Sequence, residues 1–281
     1  MARIYSSLSE AYLGILHDVW KNPDYIHDAV TPEMKQNDPN PVTRNRNWYF
    51  NKAAKQEKTN YSFVIREPNE NEQIKTRSEQ RDAVMYEYSS KETVLFDKGD
   101  RVDIKQLSKV WQRIANPDGT INASYGYMVY HLKDAGNAEY DDTFMSQWEW
   151  AQNRLRLKKT TNQAYIHFNR PKDQWNGNLD QPCCMNIQFQ IRDDRLSLLV
   201  NMRSNDLVYG VPYNMLYFVK LMHRMVRELK DVYPTLVVGD YHYHAASLHF
   251  YLKHLDKVED MLGVNHDEPI TPAEHCTSEP A

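Results

Sequence analysis

Apolar positions at Tyr5, Leu8, Tyr12, Leu13, Leu16, Val19 and Trp20 recur every three or four residues. That spacing predicts an amphipathic helix over residues 5–20, with Ser6 or Ser7 as its cap. Residues 31–60 are rich in Asn, Pro, Lys and Arg and are expected to form a loop. Residues 61–66 read as a strand, and the polar stretch 67–75 as turn. A helix is expected over about 78–92. Another begins near Asp103 and carries Leu107, Val110, Trp111 and Ile114. Asn116-Pro117-Asp118-Gly119 is a turn signal. Residues 141–157 read as helix, 164–168 as strand and 169–181 as loop. From Asn186 to Ile191 polar and apolar residues alternate. The turn Asp193-Asp194-Arg195 and a second apolar run, Leu196 to Met202, complete a β-hairpin pattern. A long helix is expected over 212–231. A Val/Tyr/His-rich strand lies within 235–251 and turns into a last helix at about 252–262. The tail over 266–281 looks irregular. This mixture, without repeat or low-complexity linker, predicts one α+β domain spanning 1–281.

Composition narrows the class. The 281 residues are 41% hydrophobic and 26% charged, which is ordinary for a soluble globular protein. A net charge of −4 does not suggest a surface for polymeric nucleic acid. Three cysteines, two of them adjacent, form no disulfide framework and favour a reducing, cytoplasmic setting. No run of 18 apolar residues predicts a membrane span, and the start lacks the apolar core and cleavage site of a signal peptide.

The chemistry gathers around the hairpin. Cys183 follows Pro182 at the start of the first strand. Taken alone it is a small buried hydrophobe more often than a nucleophile. Arg203-Ser204-Asn205-Asp206, just past the second strand, changes that reading. A guanidinium near a thiol lowers its pKa, and it can also hold a phosphate. Without that motif Arg203 and Asp206 would read equally well as a surface ion pair. His249 and Tyr251 alternate like one face of a strand end. His242 and His244 do the same, but no second ligand cluster supports a metal site, and none is expected.

Pro182-Cys183, Arg203-Ser204-Asn205-Asp206, Gly210-Val211-Pro212-Tyr213-Asn214 and Ser247-Leu248-His249-Phe250-Tyr251 together resemble the thymidylate synthase family, closest to its phage pyrimidine-nucleotide hydroxymethylase branch. The resemblance covers roughly 75–262 and extends only loosely over 1–70. It implies a mixed β-sheet flanked by helices, a symmetric homodimer, a pyrimidine nucleoside monophosphate substrate and 5,10-methylenetetrahydrofolate as one-carbon donor. It also implies roles. Cys183 would be the nucleophile toward C6, with Arg203 and Ser204 on the phosphate. Asp206 would contact base or folate, Asn214 the pyrimidine edge, and His249 and Tyr251 the sugar hydroxyl. Trp111, in Val110-Trp111, would face the folate, and Tyr125 would lie near the thiol. The general acid/base glutamate, which the family carries on a helix upstream of that tryptophan, points to Glu87; Asp82 fits a different register.

Departures from the family refine the expectation. Cys184 stands where classical synthases have histidine, and Ile114 where they have a second tryptophan. Asn162-Gln163 replace the paired arginines that reach across the dimer. The tail Cys276 to Ala281 lacks the apolar closing character that helps exclude water. Asn214 is the uracil-type choice, since an amide can both donate and accept, whereas the deoxycytidylate hydroxymethylases carry aspartate there. The sequence therefore predicts a deoxyuridylate hydroxymethyltransferase. Thymidylate synthase, a cytidylate hydroxymethylase and a non-catalytic nucleotide-binding homologue are the alternatives, in that order.

Overall fold

The computed structural model describes residues 3–27, 54–133, 145–176 and 178–264. Its centre is a mixed eight-stranded sheet. The strands are β1 (Arg3–Tyr5), β2 (Tyr25–His27), β3 (Lys55–Arg66), β4 (Tyr165–His167), β5 (Cys184–Arg192), β6 (Arg195–Met202), β7 (Asn205–Asp206) and β8 (Val237–Tyr251). Their order is β1-β3-β8-β6-β5-β4, with β2 beside β3 and β7 beside β8. β3 and β8 run antiparallel along nearly their whole length, while β6 and β8 are parallel. Parallel neighbours need a crossover. Here α5 (Val211–Glu228) provides it.

The expected elements are largely in place. Helix α1 (Leu8–Lys21) is capped by Ser7, whose hydroxyl accepts from the Glu10 amide at 3.1 Å. Its buried stripe contains Leu8, Tyr12, Ile15, Leu16 and Val19. The hairpin turns through Asp193 and Asp194, both left-handed at φ 48° and 57°. A two-residue turn of that kind matches the twist of its strands. Helix α4 (Gln147–Leu157) starts at a capping box of Ser146 and Glu149. Helix α6 (Leu255–Leu262) ends at Gly263 with φ 67°.

Three expectations need correction. The segment 55–60 belongs to β3 and is not loop. Its polar side chains hid it: Glu57 meets Lys55, Ser247 and His27, and Lys58 and Thr59 meet Asp24, rather than an apolar layer. The helix expected over 78–92 is α2 (Glu79–Asp97), about a turn longer. The helix expected from Asp103 is instead a 3₁₀ turn, Asp103–Leu107, followed by the short α3 (Lys109–Ile114). Ser108 is extended there, and its hydroxyl caps the Trp111 amide at 3.3 Å, so the backbone restarts. Most of the expected loop 31–60, part of the helix expected at 141–157 and the expected irregular tail lie outside the described residues.

The two faces of the sheet differ. On the helix-covered face Ile187, Phe189, Leu198, Val200, Phe63, Tyr241 and Tyr243 are buried. On the other face Ser62, Val64, Gln188, Leu199, Asn201, His242 and His244 form paired, half-buried rows. Toward the end of β8 the helix-covered face turns polar, through Ser247, His249 and Tyr251. Among the described residues no helix is long and apolar enough to cross a membrane.

Candidate active site

Strand register explains the spacing of Cys183 and Arg203. β5 and β6 pair in one register from Asn186 to Arg195, then shift by a bulge between Cys184 and Asn186. The bulge brings Cys183 opposite Arg203, whose amide donates to the Cys183 carbonyl at 2.9 Å. The guanidinium is held by the carbonyls of Pro182 (3.0 Å) and Gln181 (2.8 Å), with Ser204 Oγ at 3.2 Å. One of its nitrogens then lies 3.9 Å from Cys183 Sγ. Burial pushes the Cys183 thiol up, while Arg203 and a hydrogen bond with Ser204 pull it back toward the thiolate.

Tyr125 sits behind this pair. Its hydroxyl accepts from the Cys184 amide at 3.1 Å, so it fixes the peptide that carries Cys183. Its own loop is tied to the Cys183 loop by Asp180, whose carboxylate accepts from the amides of Asn122 and, at 3.0 Å, Ala123. Gly126 lets the segment lie on the end of α2: an added Cβ would fall 1.8 Å from the Phe96 carbonyl oxygen. Cys184, by contrast, is fully buried, its thiol 3.6 Å from the carbonyls of Asn186 and Asn201.

The motif after Arg203 builds the next wall. Asp206 accepts from the amides of Val208 (2.7 Å) and Tyr209 (3.3 Å). Burial raises it to about 6, against the pull of those amides and of Lys253 and Lys257. Asn205 is buried, and its amide donates to Tyr243 Oη at 2.9 Å. Its oxygen accepts from Asn214 Nδ2 at 3.2 Å, which places Asn214 in the first turn of α5 beside the arginine motif. Gly210 is required there, since a Cβ would lie 2.1 Å from Asn205 Oδ1. His249 pairs with Asp206 across β7 and β8, and its ring meets Tyr251 at 5.3 Å. Burial, then Lys55, lowers His249 to about 4, so it is neutral at pH 7. Tyr251 lies within the electrostatic reach of Cys183, Arg203 and Asp206.

Sequence spacing and the resemblance pointed to Glu87 as the acid/base carboxylate, with Asp82 in a different register. Glu87 points to solvent from α2, 68% exposed, and pairs with Lys91 at 2.6 Å. It does not join the Cys183 group. Asp82 is buried but accepts from Thr76 N (2.9 Å) and Oγ1 (2.7 Å), which tie down the entry to α2. The buried face of α2 runs Asp82, Met85, Ser89, Glu92, Phe96. Glu92 on that face is 6% exposed, and burial raises it to about 8 despite a hydrogen bond with Tyr88. It feels Tyr125 and Tyr213, and Tyr213 in turn feels Asp206. Trp111 Nε1 donates to Tyr88 Oη at 2.7 Å, so the half-buried indole, Tyr88 and Glu92 form one wall. No apolar stripe marks Glu92 in the sequence, since α2 buries Asp82, Ser89 and Glu92 and exposes Val84, Tyr86 and Val94.

Asn162 and Gln163 are exposed before β4 and engage Arg192 (2.9 Å) and Arg154. Among the described residues no group of three or more His, Cys, Asp or Glu could hold a metal ion.

Beside the half-buried Cys183 thiol with its Arg203 neighbour, and the buried Glu92 carboxyl on α2, stand the results of comparison with known proteins. The thymidylate synthase family model matches residues 72–272. The chain is 29% identical over 160 residues to the deoxycytidylate 5-hydroxymethyltransferase of Enterobacteria phage T6, covering 55% of this chain and 61% of that protein. It is 26% identical over 149 residues to the thymidylate synthase of Bacillus licheniformis, covering 53% and 50%. The matches thus span about half to three-fifths of these relatives. Thermostable thymidylate synthase A from Bacillus subtilis shares the fold, with a TM-score of 0.63 and 17% identity over 93% of this chain and 86% of that one. The chain belongs to the thymidylate synthase family.

Proposed function

We propose that this chain is a one-carbon transferase acting at C5 of a pyrimidine nucleoside monophosphate, and specifically a deoxyuridylate hydroxymethyltransferase. The observation that carries the reading is Cys183, held against Arg203 and Ser204, with the buried Glu92 sharing Tyr125 as an electrostatic neighbour. Arg203 and Ser204 bind the phosphate and favour the Cys183 thiolate, which adds to C6 of the base. Glu92, poised near 8, holds or moves a proton at O4 and C5. Asn214 reads the base edge, and His249 and Tyr251 take the sugar hydroxyl.

The half-buried Trp111 and the Asp206 carboxyl fit a folate, one as a flat aromatic surface and the other as an acceptor for pterin donors. When bound, methylenetetrahydrofolate supplies the one-carbon unit. Cys184, buried against carbonyls, and the half-buried Ile114 stand where classical synthases have a histidine and a second tryptophan. That supports quenching by water, hence hydroxymethylation. Identification of products by mass spectrometry, from deoxyuridylate, deoxycytidylate and their ribose forms with methylenetetrahydrofolate, tests this. Hydroxymethyldeoxyuridylate is expected; thymidylate would make the chain a synthase, and no product would remove the enzyme reading.

The buried cluster, which runs from Leu8 to Met261, supports the reading of the described residues as one domain. The half-buried outer rows of the sheet support a homodimer packed sheet to sheet. Light scattering should give a dimer at micromolar concentration, and a stable monomer would exclude it.

A further inference from the structure

A buried carboxylate that the chemistry above does not use lies at the start of β3. Glu57 is 6% exposed. One oxygen accepts from Lys55 Nζ at 2.6 Å and from Ser247 Oγ; the other meets His27 Nε2. Burial alone would raise its pKa, but these three partners outweigh it and hold the group down at about 2. Glu57 is therefore a fixed anion next to β8. Removing an ion from water is costly, and an apolar strand residue would avoid that cost. Ser247 leads from the carboxylate to the site. Its Oγ lies 3.2 Å from His249 Nδ1.

His249 meets Ser247 twice, through the hydroxyl at 3.2 Å and through the backbone carbonyl, which can only accept. A serine hydroxyl has one proton to donate and lone pairs to accept with. A carboxylate takes that proton in preference to a neutral imidazole, because a charged acceptor makes the stronger bond. Ser247 Oγ is then an acceptor toward His249, so the neutral ring carries its proton on Nδ1. Nε2 is left with a lone pair.

We propose that Glu57 is a positioning residue: through Ser247 it sets the tautomer of His249, so that the site accepts a ligand hydroxyl and rejects a nucleotide whose 3′-oxygen has no proton. The ligand part rests on the reading of His249 as a sugar ligand; the tautomer part does not. The consequence is a substrate class. A free mononucleotide has a 3′-hydroxyl to donate, whereas a 3′-phosphorylated nucleotide or an internal residue of a polynucleotide has none.

Two measurements decide it. The first is long-range ¹H–¹⁵N spectroscopy of ¹⁵N-histidine-labelled protein at pH 7, with His249→Gln to assign the signal. His249 should show the Nδ1–H tautomer. Glu57→Gln keeps an acceptor: the atom that takes the Ser247 proton also accepts from Lys55, so the amide oxygen stays there and the NH2 turns to His27. Glu57→Gln should therefore keep the Nδ1–H form, as should Glu57→Asp. In Glu57→Leu position 57 offers no acceptor, the serine proton turns to Nδ1, and the signal should move to the Nε2–H form. Ser247→Ala, which leaves the carboxylate in place, should also lose the Nδ1–H bias. A wild-type Nε2–H ring, or a signal unmoved in either Glu57→Leu or Ser247→Ala, overturns the proposal. The second is binding of deoxyuridylate against its 3′-deoxy analogue. Wild type should prefer deoxyuridylate by about tenfold, the worth of one hydrogen bond. Glu57→Leu should bind the two within about twofold while keeping its phosphate contacts. Discrimination retained in Glu57→Leu overturns the specificity role. If wild type binds no uridine nucleotide, the functional reading fails, and the tautomer alone decides the relay.

Discussion

Glu87 and Glu92 lie little more than a turn apart on α2 and have opposite fates. Glu87 is solvated, paired with Lys91, and held below the usual carboxylate range by that neighbour. Glu92 faces Tyr88, Tyr125 and Tyr213 and is raised to about 8. The cysteines repeat the lesson. Cys183 faces Arg203, and Cys184, the next residue, faces backbone carbonyls inside the sheet. Asparagines do so a third time: Asn205 is locked to Tyr243, while Asn214 opens α5 beside it. Residue type proposes the chemistry in each pair, and the side of the element on which the residue falls assigns it.

Substitutions in α2 should separate the twins most widely. Glu92→Gln should lower kcat by about a hundred- to ten-thousand-fold, the usual worth of a general acid/base. Glu87→Gln should leave kcat within about twofold, because a solvated ion pair on a helix contributes little. Equal losses in steady-state assays would break the contrast.

The asparagine pair should separate by specificity. Asn214→Asp should favour the cytosine nucleotide over the uracil one by tens- to tens-of-thousands-fold in the ratio of kcat/KM values, from two hydrogen bonds of about 1–3 kcal/mol each. Asn205→Asp should instead lower stability, since its amide proton is committed to Tyr243. A wild type that prefers cytosine would contradict the reading of Asn214.

The third contrast is in stability, and its sign is opposite to that on activity. Glu92 titrates near 4.5 unfolded and about 8 folded. Below pH 4.5 both states are protonated and nothing is lost. Between those values the unfolded chain ionises first, so stability falls as pH rises, by up to about 5 kcal/mol at about 1.4 kcal/mol per pH unit, and is level above pH 8. Urea unfolding across that range should show the decline in wild type and a flatter profile in Glu92→Gln. Parallel profiles would mean that Glu92 is not buried neutral.

Much of the fold was legible because its signals are local. The α1 stripe starts at a serine cap, and the hairpin turns on two aspartates that tolerate positive φ. That Cys183 lies against Arg203, with Asn214 beside the arginine motif, was legible through the motifs. Glu92 was not, because α2 buries Asp82, Ser89 and Glu92 and exposes Val84, Tyr86 and Val94, the reverse of the pattern that reveals a helix face. The start of β3 was hidden for a related reason. Glu57 is buried there for Ser247, Lys55 and His27, all but Lys55 remote in sequence.

The central claim is that Cys183 opens the reaction by adding to C6, which makes the C5 hydrogen of the base exchangeable. Loss of deuterium from C5-labelled deoxyuridylate isolates that step. The account predicts washout by wild type, none by Cys183→Ala, and a retained rate in Cys184→Ala. Exchange that survives in Cys183→Ala and vanishes in Cys184→Ala would contradict it.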